Sequence, residues 1–127
     1  MVTIKSEYTT FWDVDDTLIM STEKYVPHEV VHAEYISVED PINKEKQISV
    51  RVNQNMVRLM KEEHARGSYI VVWSRGGHKW ASNAIRALGL DNIVGMVLSK
   101  PLAYFDDKPV EDWLKYRVYI GPNERYK

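Results

Sequence analysis

"SYIVVWS", residues 68–74, is an unbroken apolar run of strand length held between two serines. A run of that kind suits a strand of a parallel sheet, covered on both faces. Its neighbours agree. "NQNMVRLMKEEHARG" (53–67) reads as a helix, with Met56, Leu59 and Met60 at the i, i+3, i+4 spacing of one buried face and Gly67 as a C-terminal cap. "HKWASNAIRALGL" (78–90) reads as a second helix, with Trp80, Ala84, Ala87 and Leu88 near one stripe and Gly89 near its end. Further out, "YTTFWDV" (8–14), "NIVGMVLS" (92–99), "LAYFDD" (102–107) and "YRVYIG" (116–121) read as strands, with a helical turn or two in "VEDWLKY" (110–116). This alternation predicts an α/β fold, Rossmann-like, with a mostly parallel sheet of about five strands. Right-handed crossovers would put helices on both faces.

Residues 24–52 break the rhythm. "VVHAEYISV" and "QISVRV" flank the polar "EDPINKEK", the pattern of a β-hairpin with Pro41 and Asn43 in its turn. Inserted directly after the first strand, the hairpin is expected to serve as a flap over a site; otherwise it is an edge hairpin that extends the sheet. With 127 residues, of which 44% are apolar and 28% charged, the chain is expected to form one domain. The formal net charge of −1 gives no global pull toward nucleic acid or anionic membranes. The absence of cysteine excludes disulfides and thiolate metal sites. "MVTIKSEYTT" lacks the apolar core of a signal peptide, and no run approaches a membrane span, so a cytoplasmic location is expected.

Ligands of open α/β sheets bind at the carboxyl ends of the strands. Four predicted strand ends carry reactive side chains here: Asp13, Asp15 and Asp16 after the first, Ser74 after the second, Lys100 after the third, Asp106 and Asp107 after the fourth. Each alone is commonplace, as an acidic turn, a helix-capping serine or a surface lysine. Together they form a coherent set. Asp13 and Asp106 offer hard oxygen ligands to Mg²⁺, and the ion would make the crowding of Asp15, Asp16 and Asp107 tolerable. Ser74 and Lys100 suit the non-bridging oxygens of a phosphoryl group. In "SRGGHKW", Gly76 and Gly77 allow backbone N–H groups at a helix start to face an anion.

With these residues in view, the sequence resembles the haloacid dehalogenase (HAD) superfamily. "DVDDT" (13–17) is similar to its Asp-x-Asp-x-Thr signature, Ser74 to its second motif, Lys100 in "SKP" to its third, and Asp106 and Asp107 in "YFDDK" to its acidic fourth. The four occur in order along nearly the whole chain. The resemblance implies a HAD core with Asp13 as nucleophile, forming an aspartyl-phosphate. It implies that Asp15 acts as proton donor and then base. Mg²⁺ would be held by Asp13, the backbone carbonyl of Asp15 and Asp106, with Asp107 in support. Ser74 and Lys100 would bind the phosphoryl group, and Thr17 would orient the loop. Two features depart from the usual pattern: position 16, often Gly, is Asp, and the acids of the fourth motif are adjacent. Residues 24–52 leave room only for a minimal cap, which in that family goes with large substrates.

Arg75, His78 and Lys79 would rim the pocket, and with Trp80 and Tyr104 they offer cations and aromatic faces to a nucleotide or a nucleic-acid end. "YFDDKPVEDW" is similar to the corresponding part of the phosphatase domain of polynucleotide kinase-phosphatases. Trp80 fits equally well as helix core, Lys79 as an exposed helix charge, and His78 as an N-terminal helix residue. His28, His32 and His64 receive no role. The expected function is Mg²⁺-dependent hydrolysis of a phosphomonoester, on a nucleotide, another small molecule or a nucleic-acid terminus, with no membrane and no obligate protein partner. The alternatives are a catalytically silent module that binds a phosphorylated ligand or partner, and phosphotransfer to an acceptor other than water.

Overall fold

The computed structural model describes residues 8–21 and 34–120. Six strands and two helices follow in order: β1 (Thr9–Asp13), β2 (Ile19–Ser21), β3 (Tyr35–Glu39), β4 (Gln47–Val52), α1 (Gln54–Ala65), β5 (Tyr69–Ser74), α2 (His78–Leu88) and β6 (Val94–Ser99). They form an α/β structure with two three-stranded sheets, a parallel one ordered β1-β5-β6 and an antiparallel one ordered β2-β4-β3. Among the described residues no helix is long and apolar enough to cross a membrane.

The run 68–74 is the central parallel strand, with Ile70, Val71 and Val72 all buried. Register pairs Trp12 with Val72, and Val72 with Val97. Side chains of a strand alternate between faces, so Trp12, Ile70 and Val72 share one face. They join a single apolar cluster with Met60 of α1 and with Ala81, Ala84 and Ile85 of α2. Both described helices therefore cover the same face. The strand order explains this, because β1, β5 and β6 advance in one direction, and right-handed crossovers then fall on one side. Among the described residues, helices cover one face where both were expected. On the other face Phe11 and Trp73 stack with tilted rings 4.6 Å apart, and Phe11 stays 49% exposed.

The sheet is also smaller than expected. Residues 102–107 and 116–120 form no strand, and between them lies only a 3-10 turn, Val110–Asp112. Their composition suits strands, but a strand exists only through a ladder, and among the described residues neither stretch belongs to a sheet. Phe105 is left 98% exposed. Gly121, His28, His32 and residues 24–33 of the insertion lie outside the described residues.

The hairpin itself forms. β3 and β4 pair from Tyr35↔Arg51 to Glu39↔Gln47, and Asp40 closes the turn by accepting from the N–H groups of Ile42 and Asn43. It joins neither edge of the parallel sheet. It pairs with β2, sends Val38 and Val50 into the common core, and accepts a hydrogen bond from Asn83 of α2 at the Glu39 carbonyl. Between hairpin and helices lies an open groove of about 370 Å³, which no predicted site residue lines.

Helix boundaries follow local chemistry. The buried Asn53 caps α1 by accepting from the Met56 N–H, and its own N–H donates to the Leu18 carbonyl. Gly67 and Gly89 both have positive φ just past the helices, the left-handed exit that glycine permits. The predicted buried faces need rotation: Met60 is buried and Met56 packs on the core, but Leu59 is exposed. On α2 the buried residues are Ala81, Ala84 and Ile85, with Trp80 and Leu88 at the flanks and Ala87 in solvent.

Met60→Ala should therefore cost about 2–5 kcal/mol, whereas Leu59→Ala should cost less than about 1 kcal/mol. Equilibrium urea unfolding of the two variants measures both.

Candidate functional site

Parallel register sets the position of the site. Asp13 lies opposite Trp73, and Ser74 opposite Ser99, so β1, β5 and β6 end at a common level. The chain leaving β6 is tied to the end of β5 by a 2.8 Å hydrogen bond from the Lys100 N–H to the Ser74 carbonyl. This brings together Asp13, Asp15, Thr17, Ser74 and Lys100, five of the residues expected from sequence.

The loop after β1 is held from below. Val14, Leu18, Ile19 and Met20 are all essentially buried. The Thr17, Leu18 and Ile19 N–H groups all point to the Val14 carbonyl, and the Asp16 N–H donates to Ile19. That tight turn forces Asp16 to φ 61°, the only non-glycine residue with positive φ among the described residues. The left-handed region disfavours a Cβ by about 1–2 kcal/mol, and Asp tolerates it better than most. This accounts for an Asp where glycine would also serve.

Lys100 Nζ lies 3.7 Å from Asp13 Oδ1, with roughly a third of each side chain exposed. A pair so open to solvent contributes at most about 1 kcal/mol. Thr17 Oγ1 donates to Asp13 Oδ2 at 3.3 Å, long for a hydroxyl. Burial pushes the Asp13 carboxyl above its ordinary range, against the opposing pull of Lys100 and the Val14 N–H. Asp13 is thus a carboxylate with less compensation than its desolvation calls for.

Asp15 is held differently. Trp80 Nε1 donates to both its oxygens, at 3.0 and 3.1 Å, and Ser74 Oγ donates to Oδ2 at 3.3 Å. Ser74 Oγ in turn accepts from the Gly76 N–H. The Gly77 N–H goes to the Ser74 carbonyl and the His78 N–H to Ser99 Oγ. In this conformation the Gly76 and Gly77 N–H groups, expected to face an anion, are satisfied within the protein, as is that of His78. Arg75, His78 and Lys79 are exposed on the rim.

Two partners were not visible in the sequence. Trp80 was read as helix core or as a stacking face, yet its polar edge reaches Asp15. Ser99, which received no role, fixes the start of α2. The available signal was position, since both stand within a turn of a strand end facing the acids.

Asp106 and Asp107 end no strand. They lie in the exposed stretch after Lys100, where the Asp107 carboxyl and the Lys108 N–H hold Asp106 below the usual carboxylate range. Tyr104 packs edge-on against Trp113, 6.4 Å between ring centres. Among the described residues no group of three or more Asp, Glu or His side chains lies close enough to share a metal ion. The donors on the first loop, the Asp13 carboxylate and the Asp15 carbonyl, fit Mg²⁺ in type, and the undercompensated Asp13 accepts further positive charge. No family model matches the chain, and no curated protein or solved structure matches it.

Two outcomes are expected. Asp16→Gly should change stability by less than about 1 kcal/mol, whereas Asp16→Val should cost at least about 1–2 kcal/mol, both read by thermal melts. Asp13 has a raised folded pKa, so its stabilising contribution is full below the unfolded pKa and is lost as pH rises through the folded value. Asp13→Asn cannot ionise, so melts without divalent cations should show the variant gaining on wild type as pH rises from the ordinary carboxylate range through the raised folded value.

Proposed function

We propose that the chain is a HAD-type phosphomonoester hydrolase, Mg²⁺-dependent, with Asp13 as its nucleophile. The observation that carries this reading is the Asp13–Lys100 contact of 3.7 Å beside Asp15 and Ser74, at the joined ends of three parallel strands. A nucleophilic carboxylate, a second acid two residues on and a cation are the parts that phosphoryl transfer through an acyl phosphate requires.

In the first half-reaction an oxygen of Asp13 bonds to phosphorus as the bond to the leaving oxygen breaks. The leaving oxygen keeps that electron pair and takes the Asp15 proton. In the second, water attacks phosphorus and gives a proton to Asp15, while the Asp13–phosphorus bond breaks and its pair returns to the carboxylate. Lys100 binds the non-bridging oxygens and Thr17 holds Asp13 in line, while the buried Ser74, expected beside Lys100, donates its one hydroxyl proton to Asp15 instead. Mg²⁺, when bound by Asp13, the Asp15 carbonyl and Asp106 with Asp107 nearby, would neutralise charge on the transferring group.

The exposed Arg75, His78 and Lys79 and the short hairpin insertion favour a nucleotide, another small phosphomonoester or a nucleic-acid end as substrate. A second reading, a phospho-ligand binder without turnover, draws support from the lack, among the described residues, of three acids close enough to share a metal ion.

Wild-type protein should release phosphate from 4-nitrophenyl phosphate with Mg²⁺ and not with EDTA. Asp13→Asn should fall to background with its fold retained, and Lys100→Met should lose roughly 100-fold or more. Equal inactivity of wild type and Asp13→Asn across a panel that includes 3′- and 5′-phosphorylated oligonucleotides would leave the binder. Transfer to an added alcohol in place of water would identify the phosphotransferase.

A further inference from the structure

The indole of Trp80 has a use that its position on a helix flank does not require. Its ring packs against the apolar cluster, while Nε1 points away from it to the Asp15 carboxyl. The bond is shared between the two oxygens, at 3.0 and 3.1 Å, so the carboxyl plane is aimed at the indole. The loop is shaped to allow this. A Cβ at Gly76 would stand 3.1 Å from Trp80 Cδ1 and 3.3 Å from Ser74 Oγ, the two side chains that hold Asp15. Ser74 is completely buried, and its hydroxyl is fixed by the Gly76 N–H.

We propose that Trp80 is a positioning residue for proton transfer, holding the Asp15 carboxyl where it protonates the leaving oxygen and later receives the proton of the attacking water. The chemistry of indole suits that task. Its N–H is a donor only, with no proton to exchange at ordinary pH and no acceptor to turn toward water. It orients the acid without competing in the transfer, as a hydroxyl or an imidazole in the same place would. A donor shared by both oxygens leaves each with capacity to carry the transferable proton or to accept one.

This rests on the phosphatase reading, and the two fail in different ways. The test uses aryl phosphates of similar size, from 4-nitrophenyl to unsubstituted phenyl phosphate. The nitrophenolate departs readily without a proton, whereas phenolate needs one more. Trp80→Phe keeps the packed ring and removes only the N–H. Its kcat/KM should stay within about twofold of wild type for 4-nitrophenyl phosphate and fall roughly 10- to 100-fold for phenyl phosphate. Uniform loss across the series, or none, overturns the role of Trp80 and leaves the phosphatase standing. A wild type inactive on every member overturns the phosphatase and this role with it. Should Trp80→Phe not fold, the indole N–H resonance of Trp80 decides in the otherwise intact chain. It should shift on Asp15→Ala; an unmoved resonance overturns the contact on which the role depends.

Discussion

Asp13 is a carboxylate taken partly out of water at the end of the edge strand β1, and the surrounding structure can be understood as the means of keeping it there. Its desolvation is unfavourable for the ionised form, and Lys100, a third exposed and 3.7 Å away, offsets only part of that. What prevents the loop from swinging outward is apolar: Val14, between Asp13 and Asp15, and Leu18, just after the acids, are fully buried. Lys100 can face Asp13 only because β1 and β6 flank β5 in a fixed register. A slip of one residue would turn the alternating side chains to the opposite faces.

Within the same turn the three aspartates meet three physical conditions. Asp13 is partly buried and loosely bonded, which leaves oxygen lone pairs available. Asp15 has both oxygens engaged by Trp80 and one by Ser74, so its direction is set. Asp16 occupies the left-handed corner that closes the turn. Proximity in sequence thus produces separation in environment. That separation is the condition for two carboxylates to divide the work of nucleophile and proton carrier.

The parts of this arrangement legible in the sequence were those set by local pattern. The apolar run 68–74, the two helices, the hairpin around Asp40 and the glycine exits all depend on periodicity or turn chemistry, and all formed near their expected bounds. Failures came where a distant partner decides. Residues 102–107 have the composition of a strand, but composition cannot supply the neighbouring backbone. The buried stripe of α2 was read through Trp80 and Ala87 when the core takes Ala81 and Ile85, because alanines fit either phase of the helix. Trp80 concealed its role for a related reason. Its apolar mass satisfied the helix pattern, and only the fold reveals where its single polar atom points.

The strand order places this site at the margin of a sheet. Open α/β sheets bind ligands where strand order reverses, and the described strands show no reversal. Asp13 therefore ends the outermost strand of the described sheet, with β5 on one flank. The acids at 106 and 107 follow in an exposed stretch that belongs to neither described sheet. Asp106 lies six residues beyond Lys100, about 20 Å of extended chain, ample to return across a strand end. Ordering those six residues would cost roughly 6–12 kcal/mol in backbone entropy. Burying the exposed Phe105 and Leu102 would return only about 3–6 kcal/mol of it. Apolar contact by itself leaves the segment unpaired, so its docking beside Asp13 requires a further source of free energy, such as ladder hydrogen bonds or a cation shared between the acids.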